Sequence, residues 1–308
     1  MPIGIQDFED LRTTDCLYVD KTAYLYRLVT MGKPYFLGRP RRFGKSLFLS
    51  TLNAFFLGKK ELFEGLAIAE LEREWKEYPV LYLDFNVEGY TGIDSLYSAL
   101  ETNLSPLESE WGKIATEATP AARLTGLIRR ACKQSGHKAV VLVDEYDKPL
   151  VGTLNDKKLN EAMRDILKGF YGVLKSADAN LRFVFLTGVT KFSKVSIFSD
   201  LNHLVDISLD EDYAGICGIS ESELTAYFQP EIEFLATKQK LTYDATLAEL
   251  KKHYNGYHFA KVSEGVYNPF SLLNTFVKKD FGDYWFETGT PTFLVKMLKD
   301  LDFDIKSL

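Results

Sequence analysis

The segment Gly38–Leu47, with the sequence GRPRRFGKSL, constrains the fold of this chain more than any other feature. The short apolar run Pro34–Gly38 leads into the segment, and the helix-like run Ser46–Leu57 leads out of it. A loop between a strand and a helix binds phosphate well, because the helix N-terminus offers unpaired N–H groups and a partial positive charge. The pattern therefore predicts a strand–loop–helix unit of the P-loop type within an α/β fold.

Three residues of this segment carry the predicted chemistry. Gly44 lets the backbone approach a phosphate, Lys45 reaches the β and γ phosphates, and the Ser46 hydroxyl ligates Mg²⁺. The usual pattern has a glycine six residues before the lysine, but that position holds Arg39, since Gly38 comes one residue too early. A Gly-Lys-Ser tripeptide can also open a helix by chance. The strand, loop and helix around it favour phosphate binding instead.

Two adjacent acids form the second element of the pattern. The apolar run Val140–Val143 ends in Asp144 and Glu145. In P-loop ATPases an acid at this strand end helps to hold Mg²⁺, directly or through its water shell. A glutamate directly after it can orient and deprotonate an attacking water. Acid pairs also mark solvated strand ends, but combined with the loop this pair predicts a site for ATP and Mg²⁺.

The third element, Leu186–Lys191, follows the next predicted strand. If that strand lies beside those that carry Lys45 and Asp144, then Thr187 or Thr190 contacts the γ-phosphate or the attacking water. A capped turn after a buried strand is an equally good interpretation.

Strand-like and helix-like segments alternate to about residue 210, which is typical of a mostly parallel sheet with crossover helices. The predicted strands are Pro34–Gly38, Pro79–Phe85, Ala139–Val143, Arg182–Thr187 and His203–Leu209. The predicted crossover helices are Ser95–Leu104, Ala121–Gln134 and Lys158–Ser176. We expect residues 1–215 to form a P-loop ATPase domain, an α/β three-layer sandwich with a mostly parallel five-stranded sheet.

After about residue 215 the pattern becomes mainly helical. One helix begins at Ser220–Glu223 with a good N-terminal cap and early acids. Further helices are predicted at Thr246–Tyr254 and Phe270–Val277, with a small hairpin at Tyr257–Tyr267 as an option. We therefore predict a second, smaller domain over residues 216–308, a mainly helical lid or a winged-helix-like unit.

The composition excludes several classes of protein. Fractions of 46% hydrophobic and 26% charged residues are those of an ordinary soluble globular protein. Neither a membrane span nor a signal peptide is visible, and the three cysteines lack the spacing of a zinc site. The formal net charge of −6 argues against binding nucleic acid through the overall field. We expect a cytoplasmic protein with no membrane partner.

The motifs resemble those of the predicted AAA-ATPase-like family of bacterial proteins. The likeness lies in Tyr18–Thr22 (YVDKT), Arg39–Ser46 (RPRRFGKS) and Asp144–Asp147 (DEYD). It continues in Thr187–Ser193 (TGVTKFS) and Tyr254–Tyr257 (YNGY), so it spans nearly the whole chain.

The resemblance implies where the nucleotide is bound. An arginine at position 39 is typical of this family, which makes the departure from the usual loop a family trait. The family resembles ATPases with a second acid beside the Mg²⁺ acid and an extra strand between the loop strand and the acid strand. By that likeness Tyr18–Thr22 lies near the adenine or ribose, and the C-terminal unit acts as a lid. The expected nucleotide-binding residues are Asp20, Lys21, Arg39, Pro40, Arg41, Arg42, Phe43, Gly44, Lys45, Ser46 and Leu47.

The resemblance also bears on partners. Many members look as though they continue into a nuclease-like domain of the restriction-endonuclease type. This chain stops at Leu308, so we expect either a truncated chain or a member without that domain. Nucleic acid would then be bound only through a partner or the missing domain. Arg41 or Arg42 is expected to contact phosphate or a neighbouring subunit, which leaves a homo-oligomer open.

Two functions remain open on the sequence. In the first, the chain is a Mg²⁺-dependent ATPase: Lys45 neutralises phosphate, Ser46 and Asp144 hold Mg²⁺, Glu145 positions water and Thr187 assists. In the second, it is a nucleotide-gated switch or scaffold with negligible turnover that regulates a partner or nuclease domain. Glu145 favours the first, because a pure binder has no use for a water-activating acid. A kinase for a small substrate ranks last, since no acceptor site is visible.

Overall fold

The computed structural model describes residues 1–32, 34–86, 89–189 and 204–285. Its centre is a five-stranded sheet in which every neighbouring pair of strands is parallel. The strands are β1 (Pro34–Gly38), β2 (Val80–Asp84), β3 (Ala139–Asp144), β4 (Leu181–Gly188) and β5 (Val205–Asp206), in the spatial order β2-β3-β4-β1-β5. Strand β4 thus lies between the loop strand β1 and the acid strand β3, as the family likeness implied.

Helices cover both faces of the sheet, which gives the predicted three layers. One layer consists of α5 (Ile93–Trp111), α6 (Pro120–Ser135) and α8 (Lys157–Ser176). The other consists of α1 (Phe8–Thr13), α2 (Thr22–Met31), α3 (Lys45–Phe56) and α4 (Ala67–Leu71). The short helix α7 (Lys148–Gly152) follows the acid strand.

Strand β3 shows why an apolar run was enough to predict the buried centre of this sheet. Val141 and Val143 pack into the core on one face, whereas Val140 and Leu142 pack into the core on the other. A strand covered on both sides has no polar face, so its sequence is apolar throughout instead of alternating.

The edge strand β5 is shorter than the predicted His203–Leu209, and residue 203 lies outside the described part of the chain. The ladder continues with the Ile207 N–H, which donates to the carbonyl of Phe36 (3.0 Å). The ladder between β1 and β5 ends at Ser208, because the Gly38 N–H donates to the Ser208 Oγ (2.7 Å) and not to a backbone carbonyl.

The described residues 216–285 are called here the C-terminal helical unit. It contains α9 (Glu221–Tyr227), α10 (Gln229–Gln239), α11 (Tyr243–Tyr254) and α12 (Pro269–Lys278), which enclose a core of their own. The predicted cap of α9 is present: Ser220 Oγ accepts from the Glu223 N–H, and Glu223 Oε2 accepts from the Ser220 N–H. Helix α10 was not predicted, and the predicted hairpin is reduced to one antiparallel bridge between Tyr257 and Val266. The boundary at residue 215 stays a prediction.

Across the described ranges, no helix is both long enough and apolar enough to cross a membrane.

Candidate nucleotide site

The loop between β1 and α3 has a tightly wound backbone. Gly44, the residue before the helix, has φ 95°, and Arg42 has φ 69°. Positive φ suits glycine, because it has no Cβ to clash with the backbone, but it is uncommon for an arginine. The two left-handed residues flank Phe43 and precede the N-terminus of α3, where free N–H groups favour an anion.

Lys45 is buried and holds the loop together from within. Its Nζ donates to the carbonyls of Arg39 (3.1 Å) and Pro40 (3.4 Å). The same Nζ lies 3.1 Å from Glu145 Oε1, in an ion pair that is mostly shielded from solvent. The first acid residue after β3 and the loop lysine are therefore in direct contact, as the paired motifs require.

Asp144 lies at the end of β3 and is surrounded by donors. The Thr187 hydroxyl and the Glu145 N–H (3.1 Å) both donate to its Oδ1, and the nearby Ser46 hydroxyl, like Thr187, acts to lower its pKa. Burial nevertheless raises the pKa of Asp144 above its usual value, and the nearby Glu145 adds to the rise. Its negative charge is thus only partly compensated by the protein, which favours a bound cation.

Glu145 has φ 51°, a backbone conformation that few residues with a side chain adopt. Its N–H donates to Thr187 Oγ1 (3.2 Å) and to Asp144, and these bonds hold the strained residue in place. Such strain persists only where the surroundings fix it, and it is concentrated at functional sites. Here the strained backbone belongs to the residue whose carboxylate pairs with Lys45.

Thr187 is fully buried at the end of β4, between β1 and β3. Its hydroxyl is engaged with Asp144 and the Glu145 amide. In the structure this side chain thus positions the two acids, and its contact with the γ-phosphate or the attacking water stays a prediction. Thr190, the alternative, lies outside the described residues.

A cavity of about 380 Å³ opens beside the loop. Its lining includes loop residues from Arg41 to Leu47 together with Glu145, Lys148 and Asn86. Lys148 Nζ donates to Asn86 Oδ1 (2.8 Å), and burial, then the charge of Arg41, lowers the pKa of Lys148. The lining also includes a set of apolar residues, called here the apolar lining: Ile3, Ile5, Leu17, Val19, Ile216, Ile219, Phe228, Phe270 and Leu273.

Sequence reasoning missed the residues of this apolar lining. They come from the N-terminal segment, the segment before α2 and the C-terminal helical unit, which are distant along the chain. Ile3 and Ile5 stand at alternating positions near the start, but a pattern this short gives no sign of what it faces.

The side chain of Arg39 is bonded within the protein. Its buried guanidinium donates to the carbonyls of Gly38 (2.9 Å), Ser208 (2.6 Å) and Tyr213 (3.1 Å). It also lies over the ring of Phe259, with its Cζ 4.0 Å from the centroid. The guanidinium thus satisfies carbonyls near the edge of the sheet, and the binding of nucleotide by Arg39 stays a prediction.

Asp20 and Lys21 are also committed within the protein. Asp20 Oδ1 accepts from the N–H and hydroxyl of Thr22 (2.8 and 2.7 Å), and Oδ2 accepts from the Ala67 N–H (2.7 Å). Asp20 thus joins the starts of α2 and α4, and its expected place near the adenine or ribose stays a prediction. Lys21 lines the cavity, but its Nζ binds Glu223 of the C-terminal helical unit (2.6 Å).

Comparison with known proteins gives two findings. The model of a family described as predicted AAA-ATPase matches residues 2–198. A protein of Azotobacter chroococcum mcd 1, described as "Uncharacterized protein in vnfD 5'region", is 43% identical over 301 residues. The match covers 97% of this chain and 56% of that protein, so the chain spans little more than half of the relative's length.

Proposed function

Because the chain belongs to the predicted AAA-ATPase family, we propose that it binds ATP with Mg²⁺ and hydrolyses it, with Glu145 as the general base. One observation carries the proposal: the loop lysine and both acids form a continuous set of contacts beside a cavity that the loop serine also lines. Lys45 pairs with Glu145, the Glu145 N–H donates to Asp144, and the Ser46 hydroxyl is near enough to Asp144 to lower its pKa. A chance tripeptide and a solvated strand end would have no reason to meet in this way.

The phosphates are bound by the loop. The amides at the start of α3 and the Lys45 ammonium supply positive charge, and Gly44 leaves the backbone open, since a Cβ built there would meet nothing within 4 Å. Arg41 is exposed at the rim of the same cavity and adds charge there.

The donor set beside the loop suits Mg²⁺. It combines the hydroxyl of Ser46 with the carboxylate of Asp144, and Mg²⁺ prefers such oxygen ligands. When bound, Mg²⁺ neutralises charge on the phosphate oxygens. Thr187 and the Glu145 amide orient the Asp144 carboxylate toward this role.

Glu145 accepts a proton from water as the water oxygen attacks the γ-phosphorus. The bond from that phosphorus to the bridging oxygen breaks, and its electron pair stays on ADP. Lys45 links this step to binding, because phosphate competes with Glu145 for the same ammonium, which lies 3.1 Å from Oε1. Phosphate binding thus releases the carboxylate when a base is needed.

The apolar lining of the cavity holds the base. Its residues offer aliphatic and aromatic surface to a planar ring, and about 380 Å³ is within the range of small-molecule sites. This assigns the N-terminal segment and the C-terminal helical unit to the walls around the adenine.

The test is ATP turnover with Mg²⁺, measured with nucleotide affinity for the wild type and Glu145→Gln. We expect turnover to fall by about 10²–10³-fold while ATP still binds, because only the base is lost. Glu161→Gln, on an exposed face of α8, is the matched control and should turn over like the wild type. Undiminished turnover in Glu145→Gln would rule out Glu145 as the base.

A nucleotide-gated switch is the second candidate, and the Lys45–Glu145 ion pair favours it. If phosphate fails to displace Glu145 from Lys45, the base stays engaged and turnover is negligible. ATP binding without turnover in both the wild type and Glu145→Gln would support the switch.

We extend the proposal to partners and location. Nucleotide-dependent movement of the C-terminal helical unit acts on an attached or separate partner, with a nuclease-like domain as the family likeness suggests. Cys16, Cys132 and Cys217 are free thiols, which suits the reducing cytoplasm.

A further inference from the structure

The phosphate-binding loop is anchored by an aromatic side chain of its own. Phe43, the residue before Gly44, is almost fully buried. Its ring meets Tyr257 edge-to-face at 4.7 Å between centroids and Phe259 at 5.5 Å. Tyr257 and Phe259, called here the aromatic socket, both belong to the C-terminal helical unit. A residue of the loop is therefore inserted into a different part of the chain.

Backbone contacts reinforce the same connection. The Gly218 N–H donates to the carbonyl of Phe43 (3.2 Å), and Trp285 Nε1 donates to the carbonyl of Arg41 (3.0 Å). Trp285 also packs against Tyr257, with centroids 6.1 Å apart. Two carbonyls of the loop are thus bonded by donors from the C-terminal helical unit.

These contacts fall where the loop backbone is most constrained. Arg42 has positive φ, and its guanidinium lies over Phe270, with Cζ 4.8 Å from the ring centroid. A non-glycine residue keeps such a conformation only when its neighbours enforce it. Phe43 in the aromatic socket, together with Phe270, supplies that enforcement.

We propose that Tyr257 is a positioning residue for the phosphate-binding loop. Through Phe43 it holds the loop in its phosphate-receiving conformation, and so it couples the loop to the C-terminal helical unit. The part of this inference that concerns nucleotide rests on the proposed function. The part that concerns the loop stands on the contacts alone. In this proposal the C-terminal helical unit, which was expected to act as a lid, also fixes the conformation of the phosphate-binding loop.

The coupling acts in both directions, because linkage between two sites is reciprocal. If the aromatic socket favours the loop conformation that binds phosphate, then bound phosphate stabilises the socket. The amides of Gly218 and Val266 report on it, since they donate to Phe43 and Tyr257 respectively.

The first experiment is hydrogen exchange of residues 39–47 without nucleotide, compared among variants. Tyr257→Leu removes the ring that faces Phe43, and Tyr257→Phe keeps it. Phe281→Leu is the matched control, since Phe281 is a half-buried aromatic that stacks on Tyr254 and His253. We expect exchange about 10-fold faster in Tyr257→Leu alone, because an aromatic pair is lost from the loop. Equal acceleration in Phe281→Leu, or none in Tyr257→Leu, overturns the proposal.

The second experiment measures ATP affinity by calorimetry on the same variants. We expect about 10-fold weaker binding in Tyr257→Leu, wild-type binding in Tyr257→Phe and Phe281→Leu, and slower exchange at Gly218 and Val266 when ATP is added to the wild type. Wild-type affinity in Tyr257→Leu overturns the proposal. A wild type that binds no ATP overturns the proposed function instead, and the first experiment then still decides the role of Tyr257.

If Tyr257→Leu does not fold, Trp285→Phe keeps the test open. It removes the Nε1 donor to the Arg41 carbonyl and keeps a smaller aromatic ring beside Tyr257, and it should speed loop exchange and weaken ATP binding about threefold, mainly because one neutral hydrogen bond is lost. Unchanged exchange in that variant counts against the proposal.

Discussion

Two clusters of charged side chains lie in different regions of the molecule, and the pKa values of their acids are shifted in opposite directions. Between α5 and α6, Arg123 bonds both carboxylate oxygens of Glu108 (2.6 and 2.9 Å) and also contacts Glu101. These bonds lower the pKa of Glu101 to about 2 and lower that of Glu108, so both acids are more easily ionised than usual. At the ends of β3 and β4, burial outweighs the donors and raises the pKa of Asp144.

The opposite pKa shifts distinguish the Arg123 cluster, which has a structural role, from the candidate site around Asp144. Arg123 pairs with both acids of its cluster, so their charges are compensated within the protein and no bound ion is required. Asp144 keeps a charge that its donors only partly compensate, and a bound cation would complete it. The geometry agrees with this contrast, because the strained Glu145 belongs to the second region.

Removing the central cation of the helix pair should have the largest effect on stability. Arg123→Met leaves Glu108 buried without its main partner, and we expect the free energy of unfolding to fall by about 3 kcal/mol. ATP affinity should not change, because this cluster is not part of the cavity lining. Urea unfolding and calorimetry measure the two quantities.

Lys113→Met is the control for this prediction. Lys113 contacts the same Glu108 (3.2 Å), but its side chain is 62% exposed, so we expect a loss of less than about 1 kcal/mol. If Arg123→Met were as mild as Lys113→Met, the helix cluster would not be self-sufficient and the comparison would fail.

Asp144→Asn should show the opposite pattern, with a loss of function and no loss of stability. The amide oxygen can still accept from Thr187 and the Glu145 N–H, which both donate to the same Oδ1, so these two hydrogen bonds are kept. We expect the Mg²⁺-dependent part of ATP affinity to fall about 10-fold, which is 1.4 kcal/mol. The melting temperature should rise by about 2 °C, because a poorly compensated buried charge is removed. Intact Mg²⁺ dependence would remove Asp144 from the metal site, and a lower melting temperature would contradict the contrast between the two regions.

How much of this could be predicted from the sequence depends on the range of the contacts. The strands β1 and β3, the loop and the acid pair follow from local patterns, because Val140–Val143 is apolar throughout and Gly44-Lys45-Ser46 opens a helix. The all-parallel sheet with helices on both sides follows from the same alternation.

The long-range contacts that complete the site could not be predicted from the sequence, and the reason is physical. The motifs predicted that Arg39 and Asp20 bind nucleotide, but they gave no sign that each side chain also bonds backbone groups far away along the chain. The position of Phe43 in the aromatic socket likewise depends on residues more than two hundred positions later. Residue type and local spacing do not specify which long-range partner a side chain finds.

The smallest expected effect is in the pH dependence of stability, where the two regions should differ in sign. The pKa values of Glu101 and Glu108 are lowered on folding, so their contribution is present above about pH 4.5 and is lost as the pH falls toward 2. The pKa of Asp144 is raised, so the folded chain holds that proton more tightly than the unfolded chain, and stability falls as the pH rises above 3.8. The stability difference between Arg123→Met and the wild type should therefore shrink with acid, while the gain in Asp144→Asn should grow as the pH rises from about 4. Urea unfolding across pH 3–7 measures both differences, and parallel curves for the two variants would show that the regions handle charge alike.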